Sequence, residues 1–107
     1  MRGIKRIVDG LTYNTETATE VARWGGGGSN NDFRYFDEGL YLTKKGRWFL
    51  AGHGGAMTHY AESAGNNSWT GGCGLSPLTN QEAMENLERH GKIEALETYF
   101  ADQIQEA

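Results

Sequence analysis

The sequence predicts a small single-domain α+β protein, and three observations carry that expectation. A chain of 107 residues has room for one modest hydrophobic core and hardly for two. Two stretches dense in aromatic and branched side chains, Phe33 to Thr43 and Arg47 to Ala51, read as a β-hairpin across Lys44-Lys45-Gly46. The last quarter of the chain places apolar residues at helical spacing behind a capping signal. The expected architecture is an antiparallel sheet, made of an N-terminal hairpin and the central aromatic hairpin, with one N-terminal helix and two C-terminal helices.

Taken in order, Ile4 to Val8 and Leu11 to Tyr13 flank Asp9-Gly10, a pair suited to the positive φ that a type I′ turn needs at both central residues. Asn14 or Thr15 then serves as cap for a helix predicted to run to about Trp24, with Ala18, Val21 and Ala22 on its inward stripe. Residues 25 to 31, starting with four glycines, read as a flexible loop. In the aromatic hairpin, Phe36, Leu40 and Leu42 share one parity and Tyr35 and Tyr41 the other, so both faces of the sheet carry large side chains. Residues 52 to 74 are rich in Gly, Ser and Asn around Tyr60 and Trp69, without sustained period, and read as a long irregular segment with room for a short strand near Thr58 to Ala61.

Thr79-Asn80-Gln81-Glu82 matches a capping box, in which a Thr hydroxyl and a Glu carboxylate each take a free N–H at a helix start. Ala83, Met84 and Leu87 are the inward stripe of the helix that follows, and Gly91 is its predicted end. Lys92 to Ile104 is the second helix, with Ile93, Leu96, Phe100 and Ile104 at spacings of three and four. No repeat of 20 to 50 residues is present.

Composition narrows the function. The formal charge is −4, which disfavours direct binding to a nucleic-acid backbone, since that affinity comes from Lys and Arg displacing counterions. The acidity is concentrated: from Glu82 onward, Glu82, Glu85, Glu88, Glu94, Glu97, Asp102 and Glu106 stand against Arg89 and Lys92, a net −5, and residues 1 to 81 carry +1. One cysteine, Cys73, excludes an internal disulfide and fits a reducing compartment. The first 25 residues hold no apolar run of signal-peptide or membrane-span length, so a cytoplasmic location without membrane contact is expected.

Catalytic and metal chemistry finds little to stand on. His53, His59, His90 and Cys73 are the only soft ligands, in no recognised metal spacing, and no metal or cofactor is expected. Cys73 lies among Gly71, Gly72 and Gly74, with no helix N-terminus to activate a thiolate. Gly52-His53-Gly54-Gly55 has the makings of an oxyanion loop, but no Gly-x-Ser-x-Gly nucleophile accompanies it. Gly25 to Gly28 lacks the Gly-Lys-Ser/Thr of a phosphate loop. Asp37 and Glu38, adjacent in a strand, point to opposite faces and do not share a substrate. The expectation is a binder and not an enzyme, using the acidic outer face of the C-terminal helices through Glu82, Glu85, Glu88, Glu94 and Glu97, together with Asp37, Glu38 and the loop aromatics Tyr60 and Trp69.

Several short motifs in order, Gly10-Leu11-Thr12-Tyr13-Asn14-Thr15-Glu16-Thr17-Ala18, Asp32-Phe33-Arg34, Leu40-Tyr41, Gly46-Arg47-Trp48-Phe49-Leu50, Gly54-Gly55, Tyr60-Ala61, Gly65-Asn66-Asn67, Gly71-Gly72 and Pro77-Leu78-Thr79, span roughly residues 4 to 90. In these the chain resembles a family of small proteins of phages, plasmids and other mobile elements, and among them those that act as anti-CRISPR proteins. The resemblance implies a stoichiometric inhibitor, monomer or homodimer, that binds a type I CRISPR-Cas effector of the Cascade kind in the bacterial host cytoplasm and blocks target DNA. The alternatives are an accessory adaptor that binds another host protein and, third, an enzyme built on Cys73 and a histidine.

Overall fold

The computed structural model describes residues 3–26, 35–55, 62–65, 68–70 and 72–107, with the backbone alone at 62–65 and 68–70. The chain opens with β1 (Lys5–Val8) and β2 (Leu11–Asn14), an antiparallel hairpin with Val8 opposite Leu11. Its turn is Asp9-Gly10, at φ +52° and +77°, the left-handed pair that lets the turn follow the strand twist. Thr15 closes the open end, its N–H donating to the Ile4 carbonyl at 3.0 Å and its hydroxyl accepting from the Ile4 N–H at 2.9 Å.

The region predicted to be an N-terminal helix is instead a strand, and this overturns the expected fold. Asn14 does nucleate a turn: its side chain accepts from Glu16 N–H at 2.9 Å and its carbonyl from Thr17 and Ala18. That turn does not propagate. β3 (Thr19–Gly26) follows and pairs antiparallel with β4 (Phe36–Leu42), with a register shift between Glu20 and Ala22. Gly25 and Gly26, expected to begin a loop, end β3 opposite Asp37 and Phe36; residues 27–31 of that expected loop lie outside the described residues.

β4 pairs with β5 (Trp48–Gly54), and β5 with β8 (Gly72–Leu78), giving a four-stranded antiparallel sheet in the order β3-β4-β5-β8. Residues 52–74 are therefore not one irregular segment. They hold the end of β5, the hairpin of β6 (Glu62–Gly65) and β7 (Ser68–Thr70), and the start of β8; the strand suggested near Thr58 to Ala61 lies outside the described residues. Pro77 sits on edge strand β8, where its missing N–H takes no hydrogen bond away from the sheet.

α1 (Asn80–Arg89) begins at the capping box, with Thr79 Oγ1 accepting from Glu82 N–H at 3.1 Å and Glu82 Oε1 from Thr79 N–H at 2.8 Å. It ends in a Schellman turn: Gly91 adopts φ +65°, its N–H reaches the Glu88 carbonyl at 3.2 Å, and Lys92 N–H reaches Leu87 at 2.9 Å. α2 (Ile93–Tyr99) is shorter than the helix predicted to reach Ile104. Phe100 leaves helical geometry at φ −129° and drives its ring into the core, stacked on Trp48 at 5.3 Å, and a single 3-10 turn follows over Ala101–Gln103.

The sheet is covered on both faces. On one, Trp24, Leu40 and Trp48 pack with Ala83, Leu87 and Phe100 of the helical layer. On the other, Tyr41, Phe49, Ala51 and Leu75 pack under Tyr13 of the β1-β2 hairpin, with Ile4, Val8, Leu11 and Ala18 around them. Arg6 Nη1 fastens the hairpin to the sheet edge by donating to the Leu75 carbonyl at 3.1 Å. The result is three layers, helices, sheet and hairpin, with strands outnumbering helices eight to two among the described residues.

Candidate functional site

The helical layer brings five of the sequence-predicted residues to one side of the molecule. α1 turns Ala83 and Leu87 toward the sheet, so Gln81, Glu85 and Glu88 point the other way and are exposed. α2 packs against α1 and exposes Glu94 and Glu97, three apart and on one face. Glu82 is exposed as well, but its carboxylate is engaged by the capping box. Among the described residues none of these carboxylates lies in an ion pair; Glu85 accepts only from Gln81 Nε2 at 3.3 Å. The layer is an acidic surface, in which Arg89 and Lys92 are the cations against the glutamates.

Apolar residues stand within it. Ile93 and Ile104, predicted to face inward, are 66% and 41% exposed, and Tyr99 is 39% exposed. Helical spacing alone could not separate these from Leu96 and Phe100; for Ile104 the early end of α2 does, whereas Ile93 stands exposed at the first position of the helix. Single exposed apolar residues are unremarkable, but an aliphatic pair and a tyrosine among free carboxylates has the mixed character of a protein-binding surface.

The two acids of β4 behave differently. Glu38 faces the helical layer, is buried, and accepts from Trp24 Nε1 at 2.7 Å, which takes it away from the surface. The Trp24 indole stacks on His90 at 3.9 Å between centroids, and His90 Nδ1 donates to the Asn86 carbonyl at 2.9 Å. This joins Glu38 to the α1 terminus through one indole. Trp24→Phe removes a hydrogen bond to a buried carboxylate and is expected to cost about 2 kcal/mol, read as a shift in the urea midpoint.

Asp37 faces the opposite side, where Arg23 bridges it to Glu20. The Arg23 guanidinium is held further above its ordinary range, chiefly by its hydrogen bond to Asp37. Tyr41 lies along Gly39, whose Cβ, if present, would stand 2.9 Å from the ring, and its hydroxyl donates to Glu20 Oε1 at 3.3 Å. Burial pushes the Tyr41 phenol up, and the Glu20 carboxylate adds to this. A proton held more tightly in the folded state gives stability that is intact below the ordinary phenol value of about 10 and is lost as pH rises through the raised value. Tyr41→Phe should flatten the fall of unfolding free energy in that alkaline range.

The sheet also aligns Asp37, His53 and Cys73 in one cross-strand row. Asp37 is opposite His53, and His53 opposite Cys73. Pro77 has no N–H to share with its partner Phe49, so Phe49/Pro77 and, two steps on, Ala51/Leu75 and His53/Cys73 are non-hydrogen-bonded pairs, the kind in which side chains approach most closely. Cys73 is exposed beside the imidazole. The Asp37 carboxylate turns to Arg23, and His53 Nδ1 is buried and has no hydrogen-bond partner among the described residues. The thiol and imidazole are thus neighbours, while the carboxylate that would orient the ring for base catalysis is committed elsewhere. Among the described residues no group of three His, Cys, Asp or Glu side chains is placed to hold a metal.

Tyr60 lies outside the described residues, and Trp69 is described only as backbone within β7. Among the described residues no helix is long and apolar enough to cross a membrane. Comparison of the chain with family models, with curated proteins and with solved structures returns no match.

Proposed function

We propose that the chain is an anti-CRISPR protein, a stoichiometric inhibitor that binds a type I CRISPR-Cas effector in the bacterial cytoplasm and blocks its access to target DNA. The class of partner rests on the motif resemblance over residues 4 to 90. The observation that supports a mode of action is the helical layer, where Glu85, Glu88, Glu94 and Glu97 are exposed and, among the described residues, in no ion pair, with Ile93 and Tyr99 exposed on the same helix as Glu94 and Glu97. An effector holds DNA through Lys and Arg, and a rigid array of carboxylates competes for the same groups.

The test is co-purification with type I effector complexes, followed by affinity measurement across a salt series. Affinity is expected to fall as salt rises. Reversal of charge at Glu85, Glu88 and Glu94 is expected to weaken binding by about a hundredfold and to flatten its salt dependence. Affinity indifferent to salt and to those reversals would exclude this face. Capture of another host protein with no CRISPR subunit would favour the adaptor reading. Cys73→Ala is expected to leave inhibition intact; loss of inhibition in a folded Cys73→Ala variant would turn attention to the Cys73-His53 pair.

A further inference from the structure

The side of the molecule away from the helices carries a feature of opposite charge. The β4-β5 turn, Thr43 to Arg47, is closed by three hydrogen bonds: Thr43 N–H to the Arg47 carbonyl at 2.8 Å, Gly46 N–H to the Thr43 carbonyl at 2.9 Å, and Arg47 N–H to Thr43 Oγ1 at 3.0 Å. Gly46 supplies the positive φ of +85° that such a tight return requires. This turn stands against the tip of the β1-β2 hairpin, and between them lies a cleft of about 360 Å³. Lys44, Lys45 and Arg47 come from the turn; Thr12 and Tyr13 come from the hairpin, and Thr17 from the turn after it.

Among the described residues no acidic side chain lines the cleft, and none of its three cations is in an ion pair. In a chain of net charge −4 this is a local concentration of three positive charges with threonine hydroxyls beside them. Its volume is near the lower end of the range for small-molecule sites. Leu11 and Tyr13 supply an apolar wall.

We propose that this cleft binds a small phosphate ester, its phosphate held by Lys44, Lys45 and Arg47 with threonine hydroxyls as further donors, and its organic body against Leu11 and Tyr13. The chemistry favours phosphate over carboxylate: three cations line one cleft, and Arg47 offers a planar fork that matches two phosphate oxygens at once. The closed turn presents these groups without ordering a loop, which lowers the cost of binding. The site is independent of the acidic face, because it lies on the hairpin side of the sheet and shares no residue with the helices.

Amide and side-chain NMR shifts of the full chain, titrated with inorganic phosphate, adenosine monophosphate and adenosine, test the proposal. Saturable shifts confined to residues 10–17 and 43–47 are expected with the monophosphate, weaker ones at the same positions with inorganic phosphate, and none with adenosine. Arg47→Ser and Lys45→Ser should each weaken the monophosphate by about tenfold, the loss of one charge-assisted contact. Arg47→Lys, which keeps the charge, should weaken it less and so separates loss of a contact from loss of the fold. Shifts that grow without saturation, that match for adenosine and its monophosphate, or that persist when Lys44, Lys45 and Arg47 are all Ser would overturn the assignment. The helical reversals at Glu85, Glu88 and Glu94 should leave these shifts unchanged, so failure of either site is read separately.

Discussion

Leu87→Ala is expected to lower the free energy of unfolding by about 3–4 kcal/mol, in the upper half of what a buried leucine truncation costs. Leu87 has no exposed surface and sits where the helical layer meets the sheet, among Trp24, Leu40, Trp48, Ala83 and Phe100. Four of those neighbours are large side chains on separate elements, so the gap left by three missing carbons cannot close by one rotamer change. Its carbonyl is also the acceptor for Lys92 N–H in the turn between the helices, so a shift of α1 disturbs the orientation of α2. Urea denaturation should show a lower midpoint with little change in slope, and the thermal midpoint should fall by roughly 15 °C. A loss below about 1 kcal/mol would mean that the helices do not dock on the sheet in this way. Glu85, Glu88, Glu94 and Glu97 all lie on these two helices, so under the proposed inhibitor reading effector affinity should also fall in this variant, even below its melting temperature.

The helical layer was legible in the sequence because its signals are local chemistry. Thr79 and Glu82 satisfy each other's N–H groups whatever the rest of the chain does, and Gly91 ends α1 because a positive φ is cheap only there. The same local reasoning fails at residues 14–24. Asn14 does cap a turn, and Ala18, Val21 and Ala22 do have helical spacing, but the register shift between Glu20 and Ala22 is what places both Val21 and Ala22 against the helix-side core. A bulge breaks the period of two and counterfeits a period near 3.6. The choice of strand is made by pairing with β4, nearly twenty residues away, and by the Trp24 indole reaching Glu38. The ends of β5 and β8 were hidden for another reason. Their facing residues are Gly52 with Gly74 and Gly54 with Gly72, so one face of the alternation has no side chain to read.

The site divides along the same line. Net charge is a property of composition, so the acids of α1 and α2 could be placed on a solvent face from spacing alone. Asp37 and Glu38 were correctly expected on opposite faces, but their burial and their partners Arg23 and Trp24 come from β3, which the sequence disguised as a helix. The cleft beneath Lys44, Lys45 and Arg47 was equally out of reach, since its other wall is a hairpin some thirty residues earlier in the chain.

Phe49→Ala carries the other large expected effect, about 4 kcal/mol, and it acts on the opposite layer. Phe49 has no exposed surface; the Tyr13 ring meets it edge-on at 5.5 Å and Tyr41 stacks on it at 5.2 Å. The β1-β2 hairpin forms a sheet of its own, apart from the four-stranded one. An isolated two-stranded hairpin is marginal in water, so its order depends on what Tyr13 packs against, with the Arg6 contact to Leu75 as a lesser tie. Removing the Phe49 ring should therefore free the hairpin before the molecule as a whole unfolds. Hydrogen exchange is expected to show β1 and β2 amides losing protection by more than those of α1, and trypsin should cut first at Lys5 or Arg6. Uniform loss of protection would mean that hairpin and sheet unfold as one unit. The sheet separates Phe49 from Leu87, so the two destabilisations should add to within about 0.5 kcal/mol in the double variant, measured in the presence of a stabilising osmolyte. The functions should part in the same manner: at low temperature Phe49→Ala is expected to lose the monophosphate cleft, one wall of which is the hairpin, while the acidic face on the far side of the sheet still captures its partner.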